Sequence, residues 1–263
     1  MDRKRYFEGI ESYRLLAKHE VGQNFLLDDD AAERIIGLLD LRTGEKVIEI
    51  GSGAGSLTYF LAESGAEVTA IDIDEGLITK LQGDFGDKVN VVYGNGAKWD
   101  YSPYDKIVGN LPYYITSLLI ERALLHGKNA KKMAFMVQKE AGERLLAPVG
   151  TKDYGPLPIL IALRCHAKRA FSVKRSSFAP APHVDSVVLE FTIDRPWDED
   201  IAKAYKLSQS LFLARRKTML NNLKNYLHDA EKAKRLLREN GLAETLRPEQ
   251  VSPEAFLALA KSL

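Results

Sequence analysis

Lys46-Val47-Ile48-Glu49-Ile50-Gly51-Ser52-Gly53-Ala54-Gly55 is the stretch whose reading decides the fold. A short apolar run rich in β-branched residues reads as a buried strand. The glycines that follow let the chain turn sharply and let a ligand approach the backbone. Outward from this unit the pattern repeats. Helices are expected over 28–39, 57–63, 75–82 and 116–125, and further strands over 67–71, 89–93, 105–108 and 133–137. Such alternation predicts an α/β fold with a mostly parallel, doubly wound, Rossmann-like sheet that binds ligands at the carboxyl ends of its strands. Residues 184–193 alternate apolar and polar side chains and read as a late strand, a candidate antiparallel hairpin member. Asp194-Arg195-Pro196-Trp197-Asp198 reads as a linker, and 199–263 shows helical periodicity with turn signals at Gly241, Pro248 and Pro253. The expected division is therefore an α/β domain over 1–194 and a small all-helical C-terminal domain over 195–263.

Bulk properties narrow the class. The chain has 263 residues, a formal net charge of +1 and a single cysteine, Cys165. One cysteine forbids an internal disulfide and cannot build a thiolate metal site, so no metal is expected. There is no apolar run long enough to span a bilayer and no secretory signal behind Met1-Asp2-Arg3-Lys4-Arg5, so no membrane partner and a cytoplasmic location are expected. The small net charge hides an asymmetry. Residues 26–100 carry fifteen acidic and six basic side chains, whereas 201–240 carry ten basic and three acidic. Residues 164–176 add five basic side chains and no acidic one. A basic half is a candidate contact for polyanions, against the plainer reading of a solvated helix face.

The glycine spacing bears on the cofactor. A nicotinamide loop wants a third glycine at position 56, where this chain has Ser56. Gly51, Gly53 and Gly55, with Glu49 ahead of them, favour an S-adenosylmethionine loop instead. The next strand ends in Ile71-Asp72-Ile73-Asp74, where Asp72 is expected to accept from ribose hydroxyls and Asp74 to cap the following helix. The fold is then that of a class I methyltransferase. Asn110-Leu111-Pro112-Tyr113 supplies a chemistry. An exocyclic amine on a base is a poor nucleophile because its lone pair is delocalised into the ring. The Asn110 side-chain oxygen and the carbonyl of Leu111 or Pro112 can accept its two hydrogens, favouring a tetrahedral nitrogen aimed at a methyl sulfonium. Tyr113 offers an aromatic face for an extruded base.

With these residues the chain resembles the KsgA-type (RsmA) ribosomal RNA adenine dimethyltransferases. The resemblance runs from about Val21 to the C-terminus. It takes in Gly22-Gln23-Asn24-Phe25-Leu26, Gln138-Lys139-Glu140, Asp153-Tyr154-Gly155, the run from Ser177-Phe178-Ala179-Pro180 to Asp185-Ser186, Arg215-Arg216-Lys217-Thr218 and Arg247-Pro248-Glu249. It implies dimethylation of N6 on two adjacent adenosines near the 3′ end of small-subunit rRNA, in an immature 30S-type particle, by a monomer. It implies cofactor contacts at Asn24, Leu26, Gly51, Asp72 and Asn110, and on this basis the cofactor set is drawn to include Gln23, Glu49, Gly53, Gly55, Ile73 and Ala97. Phe178 matches a residue expected to stack on the target adenine opposite Tyr113. Arg215, Arg216 and Lys217, on an expected basic helix, fit rRNA backbone contact.

Two departures stand out. Where the family has Gly-Asp-Ala after the third strand, this chain reads Gly94-Asn95-Gly96-Ala97. Taking Gly96 as the position of the lost carboxylate predicts weaker cofactor binding than in a Gly96→Asp variant, with the Asn95 side-chain oxygen as a candidate substitute acceptor. Pro156 and Pro158 are also unusual. Two other functions remain in view, an Erm-type large-subunit rRNA methyltransferase and a catalytically weakened ribosome-assembly factor. His126, His166 and His183 are scattered and suggest no site.

Overall fold

The structure is a computed structural model and describes residues 2–12 and 23–263. Met1, Val21 and Gly22 of the motifs above lie outside the described residues. The chain divides into two compact units, Met1–Gly142 with Ala167–Ile193, and Glu143–His166 with Asp194–Leu263.

In the first unit the opening strand forms as read, β2 (Lys46–Ile50), after α1 (Arg3–Ser12), β1 (Phe25–Leu26) and α2 (Asp29–Gly37). It is followed by α3 (Ser56–Ala62), β3 (Glu67–Asp72), α4 (Glu75–Phe85), β4 (Asn90–Tyr93), β5 (Lys106–Asn110), α5 (Thr116–His126) and β6 (Lys132–Gln138). Later come α6 (Lys139–Leu145), α7 (Pro156–Arg164), β7 (Cys165–Val173), β8 (Phe178–Ala179) and β9 (Ser186–Ile193), of which residues 143–166, with all of α7, belong to the second unit. Among the described residues the main sheet has the strand order β4-β3-β2-β5-β6-β9-β7. β2 pairs in parallel with β3 on one side and β5 on the other, so the strand order reverses beside β2. β9 runs antiparallel to β6, with Met133 opposite Phe191 and Gln138 opposite Ser186.

Both faces of this sheet are covered, as parallel sheets require. On one face Val47, Val68, Ala70, Val108 and Met136 pack with Ile35, Leu57 and Leu81. The capping chemistry is local. Asp28 accepts from Ala31 N at the start of α2, and Asp74 accepts from Gly76 N and Leu77 N at the start of α4. Asp74 is therefore the cap expected of it. A separate two-stranded ribbon pairs β1 with β8, setting Leu26 opposite Phe178. Among the described residues no helix is long and apolar enough to cross a membrane.

The second unit contains α8 (Glu199–Phe212), α9 (Met219–Leu227), α10 (Ala230–Glu239) and α11 (Pro253–Lys261). Asp198, Thr218, Asp229 and Ser252 each cap one of these helices by accepting from a backbone N–H in its first turn. The unit differs from the expected 195–263 by including 143–166. The physical reason is α7, which packs on α8 and α11 and whose Arg164 donates to the Arg195 carbonyl. Pro156 and Pro158 occupy the first turn of α7, where a backbone N–H has no intrahelical acceptor to lose. Arg215, Arg216 and Lys217 are not on a helix, since they form the turn between α8 and α9.

Candidate cofactor and base site

The glycine loop closes over the end of β2 because three of its residues adopt backbone angles that other residues rarely take. Gly51, Gly53 and Gly55 have φ of 70°, 55° and 95°. The loop is fixed to the neighbouring strand by Asp72, whose Oδ2 accepts from Gly53 N at 2.8 Å and whose Oδ1 accepts from Asp74 N at 2.9 Å. Gly51 N and Ser52 N both donate to the Ile71 carbonyl. Burial raises the Asp72 pKa, partly offset by the amides of Gly53 and Asp74. Glu49 is 1% exposed, and its Oε2 accepts from Thr58 Oγ1 at 2.6 Å. Burial, reinforced by the negative charge of Asp72 and opposed by the Thr58 bond, pushes the Glu49 carboxyl up to about 8.

A cavity of about 280 Å³ opens at these strand ends. Of the residues expected to hold the cofactor, Gln23, Asn24, Leu26, Glu49, Gly51, Gly53, Asp72, Ile73, Ala97 and Asn110 line it. Gly55 does not. Its α-carbon faces the other way, where an added Cβ would lie 2.3 Å from the Tyr6 hydroxyl and 2.6 Å from Leu81 Cδ2. Among the described residues the lining contains two carboxylates, Glu49 and Asp72, apolar Ile50, Ile73 and Leu119, and no Lys, Arg or His. This donor set suits a cationic adenosyl ligand. A dinucleotide pyrophosphate would add negative charge beside these two carboxylates. S-Adenosylmethionine therefore fits the residues present.

Asn110, Leu111, Pro112 and Tyr113 line the same cavity. Asn110 Nδ2 donates to the Asn24 carbonyl at 3.1 Å, which fixes the sense of the amide. The Pro112 carbonyl already accepts from Ile115 N at 3.2 Å and Thr116 Oγ1 at 3.0 Å. The Tyr113 hydroxyl meets Ser186 Oγ at 3.2 Å, and burial raises its pKa.

Other expectations are placed differently. Phe178 is 4% exposed and packs in the core cluster, opposite Leu26 in the β1–β8 ribbon. It is not part of the cavity wall. Arg215 donates to the Lys152 and Thr151 carbonyls and lies 3.8 Å from Glu249, so its guanidinium is held within the protein. Arg216 and Lys217 are exposed.

Gly96 overturns the expectation attached to it. A Cβ there would stand 2.8 Å from Ile50 Cγ2 and 2.9 Å from Leu119 Cδ2, and the Tyr101 hydroxyl donates to its carbonyl. A carboxylate at 96 requires Ile50 and Leu119 to shift. Asn95 is the exposed polar side chain on this turn. It lines the cavity and accepts from Ala97 N at 2.9 Å. Sequence reading also passed over Tyr114 and Ser52, which line the cavity. Tyr114 directly follows the Asn-Leu-Pro-Tyr turn, the one signal that could have found it.

Comparison with known proteins agrees with this geometry. Residues 14–263 match the family model described as ribosomal RNA adenine dimethylase. Proteins named ribosomal RNA small subunit methyltransferase A from Lactobacillus johnsonii and Myxococcus xanthus are each 36% identical, over 97% of this chain and 93% of theirs. The crystal structure of a dimethyladenosine transferase from Plasmodium falciparum is similar, with a TM-score of 0.73 and 27% identity over 89% of this chain and 95% of that one. The 23S rRNA methyltransferase ErmE has a TM-score of 0.66 at 24% identity over 91% of this chain and 99% of that one, a likeness of fold.

Two predictions follow from the cavity wall. Gly96→Asp lowers both the thermal midpoint and the affinity for S-adenosylhomocysteine in calorimetry, whereas Asn95→Asp binds at least as tightly as the wild type. Glu49 has a folded pKa above its unfolded value of 4.5, so the unfolded state releases its proton first. Stability is then fully present below about pH 4.5 and falls as pH rises towards 8, by on the order of a few kcal/mol. Denaturant titrations across that window should show the fall in the wild type and a flatter profile in Glu49→Gln.

Proposed function

The chain belongs to the ribosomal RNA adenine dimethylase family, and from that premise we propose how its cavity residues divide the reaction. The chain is an S-adenosylmethionine-dependent enzyme that dimethylates adenine in small-subunit rRNA. Our reading adds the target, two adjacent adenosines near the 3′ end of the rRNA in an immature 30S-type particle, and a cytoplasmic monomer as the acting species.

When bound, S-adenosylmethionine supplies an electrophilic methyl group on a sulfonium sulfur. Asp72 is assigned to the ribose hydroxyls, Glu49 to the positively charged end of the cofactor, and Ile50 and Ile73 to apolar contact with it. Asn95 is assigned to the adenine amine. One observation carries the assignment of the acceptor amine. With Asn110 Nδ2 held by the Asn24 carbonyl, the Asn110 oxygen is left to accept from the target N6. The second acceptor is the Leu111 carbonyl, because Ile115 N and Thr116 Oγ1 already occupy that of Pro112. Two acceptors on one amine draw its lone pair out of conjugation and aim it at the methyl group. A strong base is unnecessary, since the nitrogen becomes acidic as it turns cationic. Tyr113 stacks on the base through its ring, with its hydroxyl anchored on Ser186. Arg216 and Lys217 contact rRNA phosphates, and Arg215 holds their turn.

Asn110→Ala is expected to lower kcat for methyl transfer to 30S particles by roughly 10²–10³. Tyr113→Phe should retain most activity because the ring remains. Primer extension should place the wild-type stop in small-subunit rRNA, and a stop only in the large subunit overturns the reading. Replacing Arg216 and Lys217 with alanine should raise KM for RNA and flatten its dependence on log salt by about 2 units of slope, with cofactor affinity unchanged.

A further inference from the structure

Helix α1 lies ahead of residues 14–263, the part of the chain that the family model matches, yet it reaches the cofactor loop from behind. The Tyr6 hydroxyl donates to the Ala54 carbonyl at 3.2 Å in a buried contact. Lys80 Nζ, from α4, donates to the same carbonyl at 3.0 Å. Lys80 is itself held by Asp84 at 2.5 Å and sits 4.8 Å from the centroid of the Tyr6 ring. Ala54 lines the cavity. Its neighbour Gly55 has a left-handed φ of 95° and presents its bare α-carbon to the Tyr6 hydroxyl. The peptide between Ala54 and Gly55 is therefore oriented by two donors on the side away from the ligand, while Asp72 holds Gly53 from the strand side.

Docking of α1 is well specified. Tyr6, Phe7 and Ile10 are buried, and the Tyr6 ring stands 5.0 Å from Tyr59 and 5.7 Å from Phe85. Arg3 bonds to Asp29, Asp30 and Glu33 around α2. These contacts connect the position of α1 to the conformation of a loop that must be correct for cofactor binding.

We propose that α1 is a cofactor-positioning strap, in which Tyr6 and Lys80 act through the Ala54 carbonyl to hold the glycine loop in its binding conformation. The proposal rests on the reading of the cavity as the S-adenosylmethionine site. Because two equilibria linked in this way are reciprocal, cofactor binding must in turn favour the docked helix.

The test uses the full chain and S-adenosylhomocysteine as the probe. Tyr6→Phe keeps the ring and its packing but removes the donor, and Lys80→Met keeps the apolar stem. Each should raise the dissociation constant for S-adenosylhomocysteine about 2- to 10-fold in calorimetry, with KM for RNA changed much less. Thermal midpoints should stay near that of the wild type. In hydrogen exchange, amides of residues 3–12 should slow when S-adenosylhomocysteine is added to the wild type, and slow less in Tyr6→Phe. Unchanged affinity in both variants, with or without a fall in midpoint, overturns the strap, as does wild-type exchange in α1 that ignores the ligand. A wild-type chain that does not bind S-adenosylhomocysteine overturns the reading of the cavity as well.

Discussion

A parallel sheet has to hide both faces under helices, so the only place its strands can present polar groups to a ligand is at their ends. In this chain β2 pairs on one side with β3 and on the other with β5, and the three strands finish level with one another. That register sets the Ile50–Gly51 turn, Asp72 and Asn110 side by side. The assigned chemistry draws on these ends, with the cofactor's ribose at the end of β3 and the acceptor amine at the end of β5. A slip of one residue in either pairing would turn Asp72 or Asn110 to the opposite face of the sheet.

The same crowding explains the electrostatics. Two carboxylates lie at neighbouring strand ends, with no basic side chain among the described lining residues, and the charge of Asp72 adds to the cost of ionising Glu49. Asp72 is relieved by backbone amides of Gly53 and Asp74, and Glu49 only by the Thr58 hydroxyl. Glu49 is consequently the group whose charge most needs a counterpart. A cationic ligand supplies one, and an anionic ligand adds to the cost. The cavity thus discriminates between cofactor classes by charge as well as by the spacing of its glycines.

The parts of the fold legible in the sequence were those governed by local pattern. β2 matches its reading residue for residue, and Asp28, Asp74 and Gly241 act where their chemistry suggested. The parts that were not legible depend on distant partners. β7 reads as a basic stretch because it is an edge strand, with Lys168 and Arg169 facing solvent. α7 was hidden by two prolines that are harmless in a first turn. The ribbon of β1 with β8 joins segments far apart in the chain, and nothing local shows that Phe178 is buried in the core cluster. Gly96 looked like a lost carboxylate, since nothing local shows that Ile50, Leu119 and Tyr101 fill the space beside it.

Arg215, Arg216 and Lys217 show how one sequence motif can divide its labour. Three successive basic residues on a helix would point in three directions, and only part of the set could meet one strand of phosphates. In a turn, Arg215 reaches back to the carbonyls of Thr151 and Lys152, and Arg216 and Lys217 remain exposed. Two of the five guanidinium donors of Arg215 are spent on these carbonyls, which fixes its side chain against the 151–152 backbone. The positive charge counted from sequence therefore overstates what this turn presents freely to solvent. On the proposed reading of Arg216 and Lys217 as phosphate contacts, Arg215 serves the turn that carries them rather than the contact itself.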